Sequence, residues 1–385
     1  MFKATRDEIL PTTIIGSLPR PRWYTAQLED RPFRVAMANA GFREQYTDAV
    51  SALLRDQERA GLDVVTDGDS RFDDDVAGGS WMMYPALRLD GTAGLALDGA
   101  APSGFPFGTI MYESGEAKPA PLVVGKIGRG TLEFVPIWKT AQRLTTRPVK
   151  FGTPAAEVVE SYLVNRYYAD RRELALDVAD ALNAELTDLA RAGCPAIQLE
   201  ASWITRAAHH QRPDMWAPEF YAEIFHRTTR GLGEQTEVWC HTCWGNPAAQ
   251  RPFAFAPTYA PTLAHLNALQ ADVITFENAD SGCQELELIC KEIVGKKIAL
   301  GVISHRTLQV ERPEEVAAIV RRALQWVPPE RLIVTADCGF GREGMSRRIA
   351  YYKMVAMVQG TNMVRRELGL PERPCLAAHP AYGLT

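Results

Sequence analysis

Eight short apolar runs, each closed by a polar or small residue and followed by a helix-like stretch, constrain this chain more than any other feature. They are TTIIGS (12–17), LDVVTDGD (62–69), PVKFG (148–152), PAIQLE (195–200), TEVWCHTC (236–243), DVITFE (272–277), KIALGVIS (297–304) and LIVTADCG (332–339). Between them lie amphipathic segments such as Glu173–Ala192, whose Leu174, Val178, Leu182, Leu186 and Leu189 recur at helical spacing. Another is Pro313–Trp326, which opens Pro-Glu-Glu as a helix first turn prefers. Eight strands alternating with helices predict an α/β fold, a (β/α)8 TIM barrel, with an open doubly wound sheet as the runner-up. The stretch between the second and third runs is too long for a simple loop. Within it, GTAGLALDGAAPSGFPFGT followed by VVGKIGRGTLEFVPIW predicts a β-hairpin insertion between strands 2 and 3, spanning about residues 85–147. The whole of residues 1–385 then reads as one catalytic domain, its insertion placed to cap the barrel mouth.

Composition narrows the function class by exclusion. A net charge of -5 gives no reason to expect nucleic acid or an anionic membrane as partner. No window approaches the ~20 apolar residues of a membrane span, and the opening MFKATRDEILP lacks the apolar core of a signal peptide. Seven cysteines, an odd number scattered over a long chain, suit a reducing cytoplasm better than a disulfide framework.

The fifth run ends Trp239-Cys240-His241-Thr242-Cys243, which raises two readings, a redox Cys-x-x-Cys or part of a metal site. Side chains alternate along a strand, so His241 and Cys243 share one face while Cys240 turns to the other. A redox pair places its first cysteine at a helix N-terminus, and nothing here supplies one. The metal reading finds further ligands at other strand ends, where barrel active sites collect. Glu277 closes the sixth run and Cys338 the eighth, so His241, Cys243, Glu277 and Cys338 are expected to converge. Two thiolates, an imidazole and a carboxylate suit zinc. In the last loop Arg342, together with Arg306 from the neighbouring one, is placed to grip an anionic group of a substrate. Trp81, Met82, Met83 and Tyr84 after the second strand read either as an apolar lid or as ordinary packing.

A His-x-Cys on one strand, a Glu on the next and a later Asp337-Cys338-Gly339 resemble the zinc site of cobalamin-independent methionine synthases. The resemblance covers nearly the whole chain, from Thr12-Thr13-Ile14-Ile15-Gly16-Ser17 through Asp67-Gly68-Asp69-Ser70-Arg71 and Ala196-Ile197-Gln198-Leu199-Glu200 to Phe340-Gly341. It extends to that family's catalytic barrel alone. It implies a zinc-dependent methyltransferase that passes a methyl group to a thiol, with homocysteine as acceptor and methionine as product. The acceptor thiol would bind zinc and lose its proton, with Glu277 the ligand to loosen. Ile15, Ser17, Asp69 and Glu200 stand at the substrate-binding positions, although Asp69 replaces the family's Glu and Glu200 its Asp. His305 stands one place early for the family's proton-donating His, and Ser304 takes the place of an Asp. No counterpart of the folate-binding Trp occurs in GTPAAEVVESYLV (152–164). The methyl donor therefore stays open between methyltetrahydrofolate and methylcobalamin, the latter also in the form carried by a corrinoid partner protein. A homo-oligomer is compatible with all of this. Three other readings remain: an enzyme like the epoxyalkane:coenzyme M transferases, a non-catalytic zinc or thiol-binding protein, and, for fold alone, a uroporphyrinogen decarboxylase-like barrel.

Overall fold

A computed structural model of the chain describes residues 4–74, 80–96, 120–209, 215–245, 258–341, 345–379 and 381. Ten strands are described: β1 (Val65–Thr66), β2 (Asp90–Ala96), β3 (Ala120–Gly128), β4 (Val149–Pro154), β5 (Val164–Asn165), β6 (Ala196–Glu200), β7 (Glu237–Thr242), β8 (Val273–Phe276), β9 (Lys297–Ile303) and β10 (Leu332–Ala336). Seven of them form one curled parallel sheet in the order β1-β4-β6-β7-β8-β9-β10. Helices connect its strands, as parallel pairing requires.

The first expected strand is only partly realised. Thr12 makes a single parallel bridge to Val334 of β10, and Thr13 N–H donates to the Val334 carbonyl at 3.0 Å. On its other side the Thr12 carbonyl accepts from Asp63 and Val64 N–H. Beyond Thr13 the chain leaves the ladder, which carries Ile15 and Ser17 into the loops above the sheet. The second run likewise ends early, at Thr66, because Gly68 and Asp69 take left-handed turn conformations (φ 70° and 54°).

Period-two alternation divides the interior into two cores. One face of the sheet gathers Val64, Ala196, Trp239, Val273, Ala299 and Ile333 with Ala4 into a small inner cluster. The opposite face packs Ile197, Leu199, Val238, Cys240, Ile274 and their neighbours under the helices in a much larger cluster. The helix Arg171–Arg191 contributes Leu174, Val178, Leu182, Leu186 and Leu189, all buried, so truncating any of these to Ala would cost about 2–5 kcal/mol. Asp170 caps its start by accepting from Arg172 N–H. The helix at Pro313 ends at Ala323, three residues before the expected stop.

Strands β2 and β3 pair antiparallel and fall in the chain between β1 and β4, neighbours in the main sheet. The residues joining them at 97–119 lie outside those described. Strand β5, which no sequence pattern indicated, adds to β3 in parallel through Leu122–Val164 and Val123–Asn165. No helix among the described residues is long and apolar enough to cross a membrane.

Candidate metal centre and substrate pocket

The site grows from the C-terminal ends of the parallel strands. In β7 the alternation puts Trp239 into the inner cluster and Cys240 into the outer core. His241 therefore turns inward, and the chain leaving the strand brings Cys243 to the same side. Cys338, just past β10, meets them: one ligand atom each from His241, Cys243 and Cys338 lies within 4.8 Å of the others. All three are buried. Cys240 sits under the helices, where burial pushes its thiol well above the ordinary range. That placement removes the redox Cys-x-x-Cys reading.

The electrostatics of the cluster suit a cation. A hydrogen bond with Cys338 holds the Cys243 thiol well below its ordinary pKa, against the effect of burial, and His241 adds to the lowering. Burial disfavours the charged form of His241, but Glu200 and Cys243 outweigh it and raise its pKa. The imidazole Nδ1 lies 2.5 Å from Thr275 Oγ1. Nε2 is buried with no hydrogen-bond partner among the described residues and stands 3.5 Å from Glu200 Oε2. An orphaned imidazole nitrogen beside two sulfurs, its ring fixed through the other nitrogen, is the donor set of a metal ligand with its supporting partner. Two sulfurs and one nitrogen also match a catalytic zinc site with an open position.

Glu277 lies outside this trio. Its carboxylate accepts from Trp244 N–H at 3.0 Å and faces Arg306, whose Nη2 is 3.1 Å from Oε1 and 3.3 Å from Oε2. Arg306 also donates to Gly245 O at 2.7 Å and approaches Asp280 Oδ2 at 3.4 Å. It is therefore turned toward the protein. Arg342, expected beside it, lies outside the described residues. Glu277, Asp280 and His305 form a second group with ligand atoms within 4.8 Å of one another, but the Arg306 guanidinium already supplies its cation. His305 is buried, with Nδ1 3.1 Å from Asp280 Oδ2.

Four of the five residues singled out for substrate line one pocket. Ile15, Ser17, Asp69 and Glu200 share it with Phe72, Trp81, Gly152, Cys338 and Gly339, around about 350 Å³ of space partly open to solvent. Its walls touch closely: a Cβ at Gly16 would stand 2.8 Å from Asp69 Oδ2, and one at Gly339 would collide with Ser17 Oγ. Ser17 Oγ accepts from Gly341 N–H at 3.2 Å. Asp69 is held by Arg71 Nη1 at 3.0 Å. Burial raises its carboxyl to about 7 against the pull of Arg71, with Asp67 and Glu200 adding to the rise. Arg71 itself is buried against the Phe72, Tyr84 and Phe151 rings. Trp81 reaches the pocket, whereas Tyr84 packs against Phe134 at 6.2 Å and Phe72 at 6.3 Å.

Sequence reasoning missed Thr275 and the ion pair of Glu277 with Arg306. Thr275 was within reach of it, since it precedes Glu277 by two residues on the same strand face and stands opposite His241 in register.

Residues 10–362 match the family model described as the catalytic domain of cobalamin-independent synthase. The methionine synthase of Saccharolobus solfataricus is 30% identical over 370 residues, spanning 94% of this chain and 96% of its own length. That of Thermococcus kodakarensis is 28% identical over 368 residues, spanning 94% and 95%. Among solved structures, a B12-independent methionine synthase from Shewanella sp. W3-18-1 in complex with selenomethionine matches with a TM-score of 0.75. It is 25% identical and covers 94% of this chain and 99% of that one.

Proposed function

This chain belongs to the cobalamin-independent synthase catalytic-domain family, and on that premise we propose that it is a zinc-dependent methyltransferase converting homocysteine to methionine. One observation carries the reading furthest: Cys338, a member of the His241/Cys243/Cys338 set, also lines the pocket formed by Ile15, Ser17, Asp69 and Glu200. A thiol seated in that pocket would point its sulfur at the metal set.

His241, Cys243 and Cys338 would hold the zinc, with Glu277 as the exchangeable fourth ligand. Supporting that role, the Glu277 carboxylate is bonded to the backbone of the residue that follows Cys243. Bound zinc supplies Lewis acidity that keeps the acceptor sulfur deprotonated at neutral pH. Asp69 and Glu200 receive the ammonium group of the amino acid, and Ile15 and Ser17 hold its backbone end. Phe72 and Trp81 give the pocket an aromatic wall. In the transfer a sulfur–carbon bond forms as the bond from methyl to donor breaks, and the bonding pair leaves with the donor. His305, steadied by Asp280, is proposed to protonate that departing donor when it is a folate. Methyltetrahydrofolate is the proposed donor, and methylcobalamin, free or on a corrinoid protein, is its competitor.

The backbone bonds of Thr12 and Thr13 to Val334 on one side and to 63–64 on the other support reading the sheet as an eight-stranded barrel. The β2–β3 pair would be its insertion, within a single domain. A cytoplasmic setting is proposed on seven unbridged cysteines.

Zinc-loaded protein offered homocysteine or coenzyme M, each with methyltetrahydrofolate, methylcobalamin or an epoxyalkane, tests the function. Methionine is the expected product. A thioether of coenzyme M with the epoxide, or no product from homocysteine with either methyl donor, overturns the reading.

A further inference from the structure

Beneath the pocket, on strand β4, a lysine is enclosed in the sheet interior. Lys150 is 1% exposed, its Nζ 4.3 Å from the centre of the Trp239 ring. Its ammonium donates to Oε1 of Gln198 at 2.7 Å. Gln198, fully buried on β6, sends Nε2 in two directions, to the Ile15 carbonyl at 3.0 Å and to Glu200 Oε1 at 2.8 Å. Both of those acceptors belong to pocket-lining residues, whereas Lys150 itself does not reach the pocket.

The chemistry of these groups favours one arrangement. A protonated lysine donates and cannot accept, so the amide oxygen must face it. A carbonyl and a carboxylate accept and cannot donate, so the NH2 must face them. Rotating the carboxamide by half a turn would set oxygen against two acceptors and NH2 against an ammonium. In a buried setting each such mismatch forfeits a hydrogen bond and leaves polar groups unsatisfied. Without Lys150 the oxygen end loses its partner and the penalty for rotation falls sharply.

We propose that Lys150 is a positioning residue for substrate recognition: it fixes the Gln198 carboxamide, which in turn holds the Ile15 carbonyl and the Glu200 carboxylate as aligned acceptors for a substrate ammonium group. The inference rests on the reading of this pocket as an amino-acid thiol site. It assigns Gln198 the task of engaging Glu200 Oε1 while Oε2 remains toward His241 at 3.5 Å. Burial lowers the Lys150 pKa to about 7 against the opposing pull of Glu200 and Asp69, and in either protonation state the amine keeps N–H groups to donate to Gln198.

The test compares two thiols on zinc-loaded protein by calorimetry: homocysteine, and 4-mercaptobutyrate, which lacks the amino group. Wild type is expected to prefer homocysteine. Lys150→Met, close in volume and free of donors, is expected to weaken homocysteine binding about 10- to 100-fold while leaving 4-mercaptobutyrate within about threefold. The loss should appear in KM and spare kcat, because the reacting sulfur is untouched. Gln198→Met is expected to reproduce the same selective loss. The double variant should be no worse than either single one, the signature of residues acting as a unit. Equal loss for both thiols would mean a structural role only and would overturn the proposal, as would preserved preference in both single variants. Absence of preference in wild type would instead refute the functional reading, and the inference with it.

Discussion

Replacing Arg306 with Met separates the ion pair from the metal centre in a way that can be measured. The Glu277 side chain is 1% exposed and that of Arg306 12%, so the pair is desolvated on the carboxylate side. With Arg306 gone, the N–H of Trp244 is the hydrogen-bond donor left to it among the described residues. Asp280 is less affected, since it keeps His305 at 3.1 Å. Breaking a buried pair by removing one partner costs about 3–5 kcal/mol, and that loss is expected in full for metal-free protein. Zinc bound beside Glu277 offers the stranded carboxylate another cation, so zinc-loaded protein should lose about 2 kcal/mol less. Thermodynamic linkage turns the difference into about thirtyfold tighter zinc binding by the variant. Urea unfolding with and without zinc gives both stabilities, and chelator competition gives the affinity independently. Equal destabilisation in the two forms, with unchanged zinc affinity, would refute the idea that Glu277 can exchange Arg306 for the metal.

Thr275→Val removes the group 2.5 Å from His241 Nδ1. It should weaken zinc binding about 10- to 100-fold with little change in unfolding midpoint, as read by chelator competition and urea titration. Cys338→Ser should lose zinc and thiol alkylation together; full zinc content with full alkylation would contradict its role. Asp69 has a folded-state carboxyl raised from 3.8 to about 7, so on unfolding it releases its proton at lower pH than in the native protein. Its contribution to stability is therefore greatest below about pH 4 and is lost as pH rises toward 7. Asp69→Asn should flatten that part of the stability–pH curve, and an unchanged slope would refute the assignment.

Alternation of side chains along a strand made much of the site legible. It put His241 and Cys243 on the face opposite Cys240, and strand ends brought Cys338 to the same rim. Ile15 and Ser17, Asp69, and Glu200 lie on three separate segments, and resemblance to a family, rather than local pattern, singled them out. What escaped were pairings set by strand register and side-chain reach. Lys150 meets Gln198 across 48 positions and Arg306 meets Glu277 across 29, and neither spacing leaves a trace in a periodic pattern. The first two strands read too long for a related reason. Apolar residues continue through Ile14 and Ile15, but the backbone there serves the pocket and not the ladder. In the second, Asp67-Gly68-Asp69 turns away, a signal that turn chemistry carries and hydrophobicity does not.

Zinc X-ray absorption, recorded before and after adding homocysteine, bears most directly on whether His241, Cys243 and Cys338 form a metal centre that accepts a thiol. The expected result is two sulfur neighbours in the resting protein, with a third appearing when homocysteine binds. A sulfur count that stays the same on adding the thiol, or protein that retains no zinc while both cysteines are intact, would contradict it.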